Sequence, residues 1–270
     1  MIVLKTDQEI DVIREACRIT ASCYEVVEQA IRPGISTYEL DQLIYKHIKS
    51  CSAEPGFLNY GDPPFPGSAC ISINEEVVHG IPSKNRFLQE GDIVSVDLGA
   101  RYQGYNGDSA RTYLVGNVKK EWRDLVRVTE EAFWEGMKQV KKGNRLGDIS
   151  HAVQVHAEKH GYGVIRELTG HGIGADLHED PNLLNYGRSG RGFRLEQGMT
   201  LCLEPMITEG SYEIELMPDE WTIVTADGKA AAHYENAFAI TSKGLEILTL
   251  TEKDRAKHAD LLAQIELQGW

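Results

Sequence analysis

Apolar and polar residues alternate with helical spacing over 6–31, and this stretch carries its own start and stop signals. Thr6 with Glu9 is a capping-box pair, and Arg32-Pro33-Gly34 ends the run. Ser36 with Glu39 makes a second box and opens a helix to about Ser50. The next stretch, EPGFLNYGDPPFPGS, is dense in Pro and Gly and reads as a loop. Residues 70–73 read as a short strand, and EEVVHGIP leads into a turn. Residues 96–115, VDLGARYQGYNGDSARTYLV, read as a β-hairpin. Helices are predicted over 121–141 and 148–160, and strands over 200–203, 221–225 and 238–240. The last stretch, EKDRAKHADLLAQIELQGW, reads as a charged amphipathic helix, docked on the surface or frayed.

The chain also resembles itself. IRPGISTYELDQLI aligns with VKKGNRLGDISHAV at an offset of 109, which sets Gly34 on Gly143 and Leu40 on Ile149. VHGIP at Val78 aligns with GHGIG at Gly170. LQEGDIVSVDLGA aligns with LEQGMTLCLEPMI at an offset of 107, which sets Asp97 on Glu204. In each half a later strand carries another acid, Asp108 in GDSARTYLV and Glu235 in YENAFAIT. The second half needs an extra segment, about 221–232, before that strand. Three matches in the same order imply two related α/β halves about a pseudo-twofold axis.

The hairpin poses the chemical question, because a carboxylate in a sheet is costly to bury unless something neutralises it. A turn centred between Tyr102 and Gln103 would set Asp97 opposite Asp108; one centred between Gln103 and Gly104 would make them diagonal neighbours on the same face. In both cases two like charges crowd together. The internal match brings Glu204 and Glu235 to the same interface, and four converging carboxylates call for a metal. Oxygen-rich sites suit hard or borderline divalent ions, and imidazole shifts the preference toward transition metals. The imidazoles at hand are His171 and His178, in the Gly-rich TGHGIGADLHEDP, and His79, the first-half counterpart of His171.

Composition narrows the setting. The 270 residues are 41% apolar, enough for one large domain or two fused halves, and the formal net charge is −13. Such an acidic body is a poor match for nucleic acid or an anionic membrane. The start has no apolar segment of the signal-peptide kind, and no run approaches the roughly 20 apolar residues of a membrane span. Five scattered cysteines without a CxxC read as free thiols in a reducing cytoplasm.

The motifs CISINEEVVHGIP, DLGARYQGYNGDSARTY, LTGHGIGADLHEDP, Glu204-Pro205 and HYENAFAIT together resemble those of the bacterial-type methionine aminopeptidases, in the pita-bread metallopeptidase superfamily. The resemblance runs from the first helix to about Thr249. It implies an α/β (α+β) pita-bread fold, with a central curved, mainly antiparallel sheet covered by helices. It implies one catalytic domain over 1–250, with halves of about 1–118 and 119–250 and a charged helical tail over 251–270. Its five metal ligands would be Asp97, Asp108, His171, Glu204 and Glu235, holding two divalent ions (Co, Mn, Fe, Zn or Ni). Asp108 and Glu235 would bridge the ions. Asp97 would chelate one, and His171 and Glu204 would bind the other. Glu204 would move the proton, His178 would steady the developing oxyanion and His79 would contact the scissile amide nitrogen. The methionine pocket would be lined by Phe65, Cys70, Leu177, Met206 and Trp221, with Asn59 and Asp62 as polar departures at its rim. The implied substrates are N-terminal methionyl peptides and nascent chains with a small second residue. The protein would work as a cytoplasmic monomer, with transient ribosome contact and no specific nucleic acid or membrane partner. Neither an N-terminal zinc-finger extension nor the large insertion of the eukaryotic second type is expected.

Competing readings are weaker. GHGIGA fits a G-x-G-x-x-A dinucleotide pattern, but Pro181 spoils the helix that should follow. His156 and His160 are spaced to share a helix face and a metal, yet HAEKH is strongly polar and reads as a solvated face. Cys70 lacks an ordered His/Asn partner set and reads as a pocket wall instead of a nucleophile. A prolidase-like peptidase would carry a separate N-terminal domain, and a non-catalytic binding relative would have lost ligands.

Overall fold

In the computed structural model, which describes residues 1–266, both capping boxes close. The Thr6 N–H donates to the Glu9 carboxylate (2.8 Å) and the Glu9 N–H to Thr6 Oγ1 (3.3 Å), starting α1 (Asp7–Ala30). Ser36 and Glu39 repeat the exchange at 3.0 and 3.1 Å and start α2 (Thr37–Ser50). A second helical pair follows, α3 (Lys120–Met137) and α4 (Leu146–Lys159). The α4 helix starts two residues before the predicted 148, with Arg145 at its N-cap and Asp148 as the third residue. Asp148 sits inside the first turn, where its carboxylate accepts the Arg145 N–H at 2.8 Å. The α3 helix ends before the predicted 141, and the chain turns through Gly143, whose φ of +92° suits glycine. At the C-terminal end two short helices, α5 (Glu252–Lys257) and α6 (Ala259–Glu266), stand where one was predicted. They are docked: Ile265 is buried and the His258 ring lies 4.3 Å from that of Trp134. The remainder of that predicted helix, 267–270, lies outside the described residues.

The spine is a curled, nine-stranded antiparallel sheet. Its main path runs Glu54–Pro55, Ile93–Tyr102, Tyr105–Leu114, Glu235–Thr241, Thr200–Leu203, Gly170–Gly172, Glu179–Leu183. Ala69–Ile73 pairs with Ile93–Tyr102, and Gly244–Ile247 with Glu235–Thr241. The first-half hairpin and the second-half strands thus meet at one seam in the middle of the sheet. Helices α1 and α2 cover the first-half strands through Tyr24, Leu40, Ile44, Val94 and Val96. Helices α3 and α4 cover the second through Phe133, Ile149, Val153, Leu201 and Phe238. Each fully buried side chain of this size contributes about 1.5–3 kcal/mol.

Two small sheets flank the seam. Met206–Thr208 pairs with Ala231–His233 and Gly163–Val164, while Ile223–Thr225 pairs with Ile214–Leu216 and with Glu76–Val78 from the first half. The strand predicted from 221 begins at Ile223 because the Asp219 carboxylate accepts the N–H groups of Trp221 (3.0 Å) and Thr222 (2.8 Å). That turn frees the Trp221 ring to lie against Phe65 and His79.

Candidate active site

The hairpin takes the register centred between Gln103 and Gly104. Tyr102 faces Tyr105, Asp97 faces Ala110 and Gly99 faces Asp108, so the two aspartates are diagonal neighbours on one face. Register then extends the pattern across four strands. Cys70 pairs with Asp97, Asp97 with Ala110, and Ala110 with Glu235, forming one transverse row. Asp108 lies two residues from Ala110 on the same face. On the far side Leu203 pairs with Asn236, which brings Glu204 next to Glu235. A methyl group at Ala110, the smallest side chain available short of glycine, leaves the space between the carboxylates open.

Asp97, Asp108 and Glu235 are buried and Glu204 is partly so, and Asp97 Oδ1, Asp108 Oδ1 and Glu235 Oε1 have no hydrogen-bond partner. Burial, joined by the neighbouring carboxylates, pushes Asp97, Glu204 and Glu235 well above the usual carboxylate range. Burial raises Asp108 as well, against the Ser109 N–H that opposes it. The imidazoles move the other way: burial, with His178 nearby, takes His171 down to about 3 and His79 to about 4. His171 Nδ1 meets the Gly172 carbonyl at 2.9 Å, which fixes its proton there and turns the Nε2 lone pair inward. That lone pair faces Asp108 Oδ2 at 3.7 Å and Glu204 Oε1 at 3.5 Å. Two acceptors facing each other make no hydrogen bond, so this donor set fits a cation between them. Ligand atoms of Asp108, His171, Glu235 and Cys202 lie within 4.8 Å of one another. The Cys202 thiol, however, is held well above its usual range by burial and by Glu235, and packs with Ile10, Ile13 and Cys17.

The carboxylates form the floor of a cavity of about 310 Å³. Phe65, Cys70, Leu177, Met206 and Trp221 all line it, and so do His79 and His178. His79 holds a backbone φ of +60°, a strained conformation for a non-glycine residue that the turn before Gly80 imposes. Sequence patterns alone gave no sign of several lining residues, among them Phe57, Tyr60, Leu168 and His233. Tyr60 meets His178 Nδ1 at 2.5 Å at the mouth of the cavity, while Asn59 and Asp62 are exposed beside it. His233 is buried, its Nε2 lies 3.8 Å from Glu204 and 3.9 Å from Glu235, and neither ring nitrogen has a hydrogen-bond partner. Its position two residues before Glu235 was the available signal. The Glu235 strand itself is anchored from behind, its carbonyl accepting from Ser109 Oγ (2.7 Å) and Arg111 Nη1 (2.5 Å).

Comparison with known proteins gives the family. Residues 11–242 match the model of metallopeptidase family M24. A methionine aminopeptidase of Clostridium acetobutylicum is 50% identical over 252 residues, 93% of this chain and 100% of that protein. The chain belongs to family M24, among the methionine aminopeptidases. The crystal structure of the Thermotoga maritima methionine aminopeptidase superposes with a TM-score of 0.90 at 44% identity, covering 93% of this chain and all of that one. The curled sheet is therefore the family's pita-bread fold. The prolidase of Pyrococcus furiosus shares it at 25% identity and a TM-score of 0.75, but the match covers only 66% of that longer chain. Full-length correspondence lies with the methionine aminopeptidases.

Proposed function

We propose that this enzyme removes the N-terminal methionine from peptides and nascent proteins whose second residue is small, with two divalent ions held by Asp97, Asp108, His171, Glu204 and Glu235. Asp108 and Glu235 would serve both ions, Asp97 one, and His171 with Glu204 the other. Ions of this kind, from Co, Mn, Fe, Zn or Ni, supply a water acidic enough to attack a peptide carbonyl near neutral pH. Glu204 accepts the proton and returns it to the leaving amine. With the Tyr60 hydroxyl as donor to His178 Nδ1, His178 would keep its proton on Nε2 and offer it to the carbonyl oxygen as charge develops there. His79, neutral through its lowered pKa, contacts the scissile amide nitrogen. Phe65, Cys70, Leu177, Met206 and Trp221 enclose the methionine side chain. An unbranched thioether threads this space and meets two aromatic rings, whereas lysine would have to shed its hydration. We take the enzyme to act as a cytoplasmic monomer that meets nascent chains at the ribosome.

The support lies in one cavity that joins unpartnered buried carboxylates to a narrow apolar wall. Chelator-treated enzyme is to be assayed on Met-Ala-Ser and Ala-Pro peptides with Mn, Fe, Co or Zn restored singly. Met-Ala-Ser should turn over only with metal, and Ala-Pro should stay intact; cleavage of Ala-Pro alone would overturn the reading. In a Met-X-Ser series, Gly, Ala, Ser, Pro, Thr and Val should be accepted in second position and Leu, Lys, Phe and Glu refused. The discrimination should appear in kcat/KM, because a large side chain displaces the scissile carbonyl.

A further inference from the structure

The HAEKH motif of α4 is not used by the reaction, and the structure gives it a third partner. His156 and His160, four residues apart, stack with ring centroids at 4.6 Å. Glu131, from the neighbouring α3, brings its Oε2 to 3.1 Å from His156 Nε2. Ligand atoms of all three lie within 4.8 Å of one another. We propose that Glu131, His156 and His160 form a further divalent-cation site that ties α3 to α4, separate from the catalytic carboxylates.

Three features prepare this cluster for a metal. The His160 Nδ1–H donates to the His156 carbonyl at 2.8 Å, which leaves the Nε2 lone pair free to bind. Arg127 Nη1 holds Glu131 Oε1 at 2.6 Å and so orients the carboxylate with Oε2 toward the imidazoles. Against the burial that opposes it, this bond and the one from His156 keep the Glu131 carboxyl below its usual range, ionised and ready to ligate. Two ligand atoms each about 2.0–2.1 Å from a tetrahedral ion stand roughly 3.3 Å apart, close to the observed N···O separation. An ion can therefore replace the proton now shared between His156 and Glu131 with little movement of either helix. His160 is also the C-cap of α4, where the helix dipole favours positive charge. Two imidazoles and one carboxylate, with a fourth position open to water, select zinc, nickel, copper or cobalt over magnesium and calcium. The polar, solvated character of HAEKH is compatible with this role, because the site lies at the surface and needs an entry path.

The test counts ions. Wild-type enzyme and the His160→Ala and Glu131→Gln variants are stripped with chelator and dialysed against the same micromolar free zinc. Metal per chain is then measured by atomic emission. His160 is exposed, so its replacement should leave the fold and the turnover of Met-Ala-Ser unchanged. Each variant should hold one zinc fewer per chain than wild type. In an Asp108→Asn background, where the catalytic ions are weakened, zinc should still raise the unfolding temperature, and adding His160→Ala should reduce that rise. Equal zinc counts in wild type and His160→Ala, or the same zinc-dependent rise with and without His160→Ala, would overturn the proposal. The count is a difference between proteins, so it stands or falls whatever the number of catalytic ions and whatever peptide is cut.

Discussion

The strand Tyr105–Leu114 carries buried charge on both of its faces, and the two faces treat it in opposite ways. On one face Asp108, with Asp97, Glu204 and Glu235 around it, leaves carboxylate oxygens without partners. On the other, three residues along, Arg111 is saturated. Its guanidinium donates to Ser109 Oγ, to the carbonyls of Ala110, Glu235 and Thr249, and to Asn236 Oδ1, at 2.5 to 3.3 Å. It pairs with Asp254 at 3.2 Å and lies against the rings of Tyr24 and Tyr234. A buried charge completed by protein atoms belongs to the architecture, and one left incomplete is waiting for something outside the chain.

The largest effect expected from breaking this asymmetry is at Asp108. Asp108→Asn should abolish turnover and weaken binding of both ions, yet with ions removed and above pH 7 the variant should unfold at a higher temperature than wild type, because a buried carboxyl that would have to ionise there is gone. Full turnover with two ions bound would sink the bridging role. Next comes His178→Ala, which should lower kcat by roughly 10²–10³-fold, the usual loss for one oxyanion donor. Metal content should stay intact; its loss would make His178 a ligand and reverse its division of labour with His171. On the satisfied face, Arg111→Met should cost about 3–5 kcal/mol of stability by stranding Asp254 and several carbonyls, measured by urea unfolding. A cost below about 1 kcal/mol would mean that the saturated cluster adds little.

The smallest effect is a slope. Burial raises the Asp108 carboxyl to about 7, from an ordinary 3.8. Between those values the metal-free native state holds more protons than the unfolded chain, so this group's contribution to stability is full at the acid end and is lost as pH rises toward 7. Unfolding temperature measured against pH in chelator should show this fall more weakly in Asp108→Asn than in wild type, and unchanged in Arg111→Met. Parallel slopes in wild type and Asp108→Asn would remove Asp108 as the source.

The sequence reveals this molecule best where the determinants are local. Thr6/Glu9 and Ser36/Glu39 mark both helix starts, because a capping box is complete within four residues. Strand parity sets Asp97 and Asp108 on a common face, and the internal repeat adds Glu204 and Glu235 to them. The exact pairing was not legible: both turn centres satisfy parity, and a full tertiary fit selects Gln103–Gly104. Three-residue strands such as Ala231–His233 have too few positions for a period, and their partners lie far away in the chain. His233 and Tyr60 escaped notice for the same reason: each reaches the cavity only after distant segments have packed. Nothing in HAEKH names Glu131, which is supplied by a different helix.

The Arg111 cluster also imposes a timetable. The partners that complete it lie 124, 138 and 143 residues further along the chain, at Glu235, Thr249 and Asp254. When translation has just released the strand bearing Asp108 and Arg111, the guanidinium has only its neighbours Ser109 and Ala110 and water to receive its protons. At about 5–20 residues per second, the segment containing Asp254 follows roughly 7–30 s later. Throughout that interval the first half holds a strand that cannot be sealed on its cationic side without stranding a charge. The cationic side of the strand behind the carboxylates is therefore completed only when the late segment docks there.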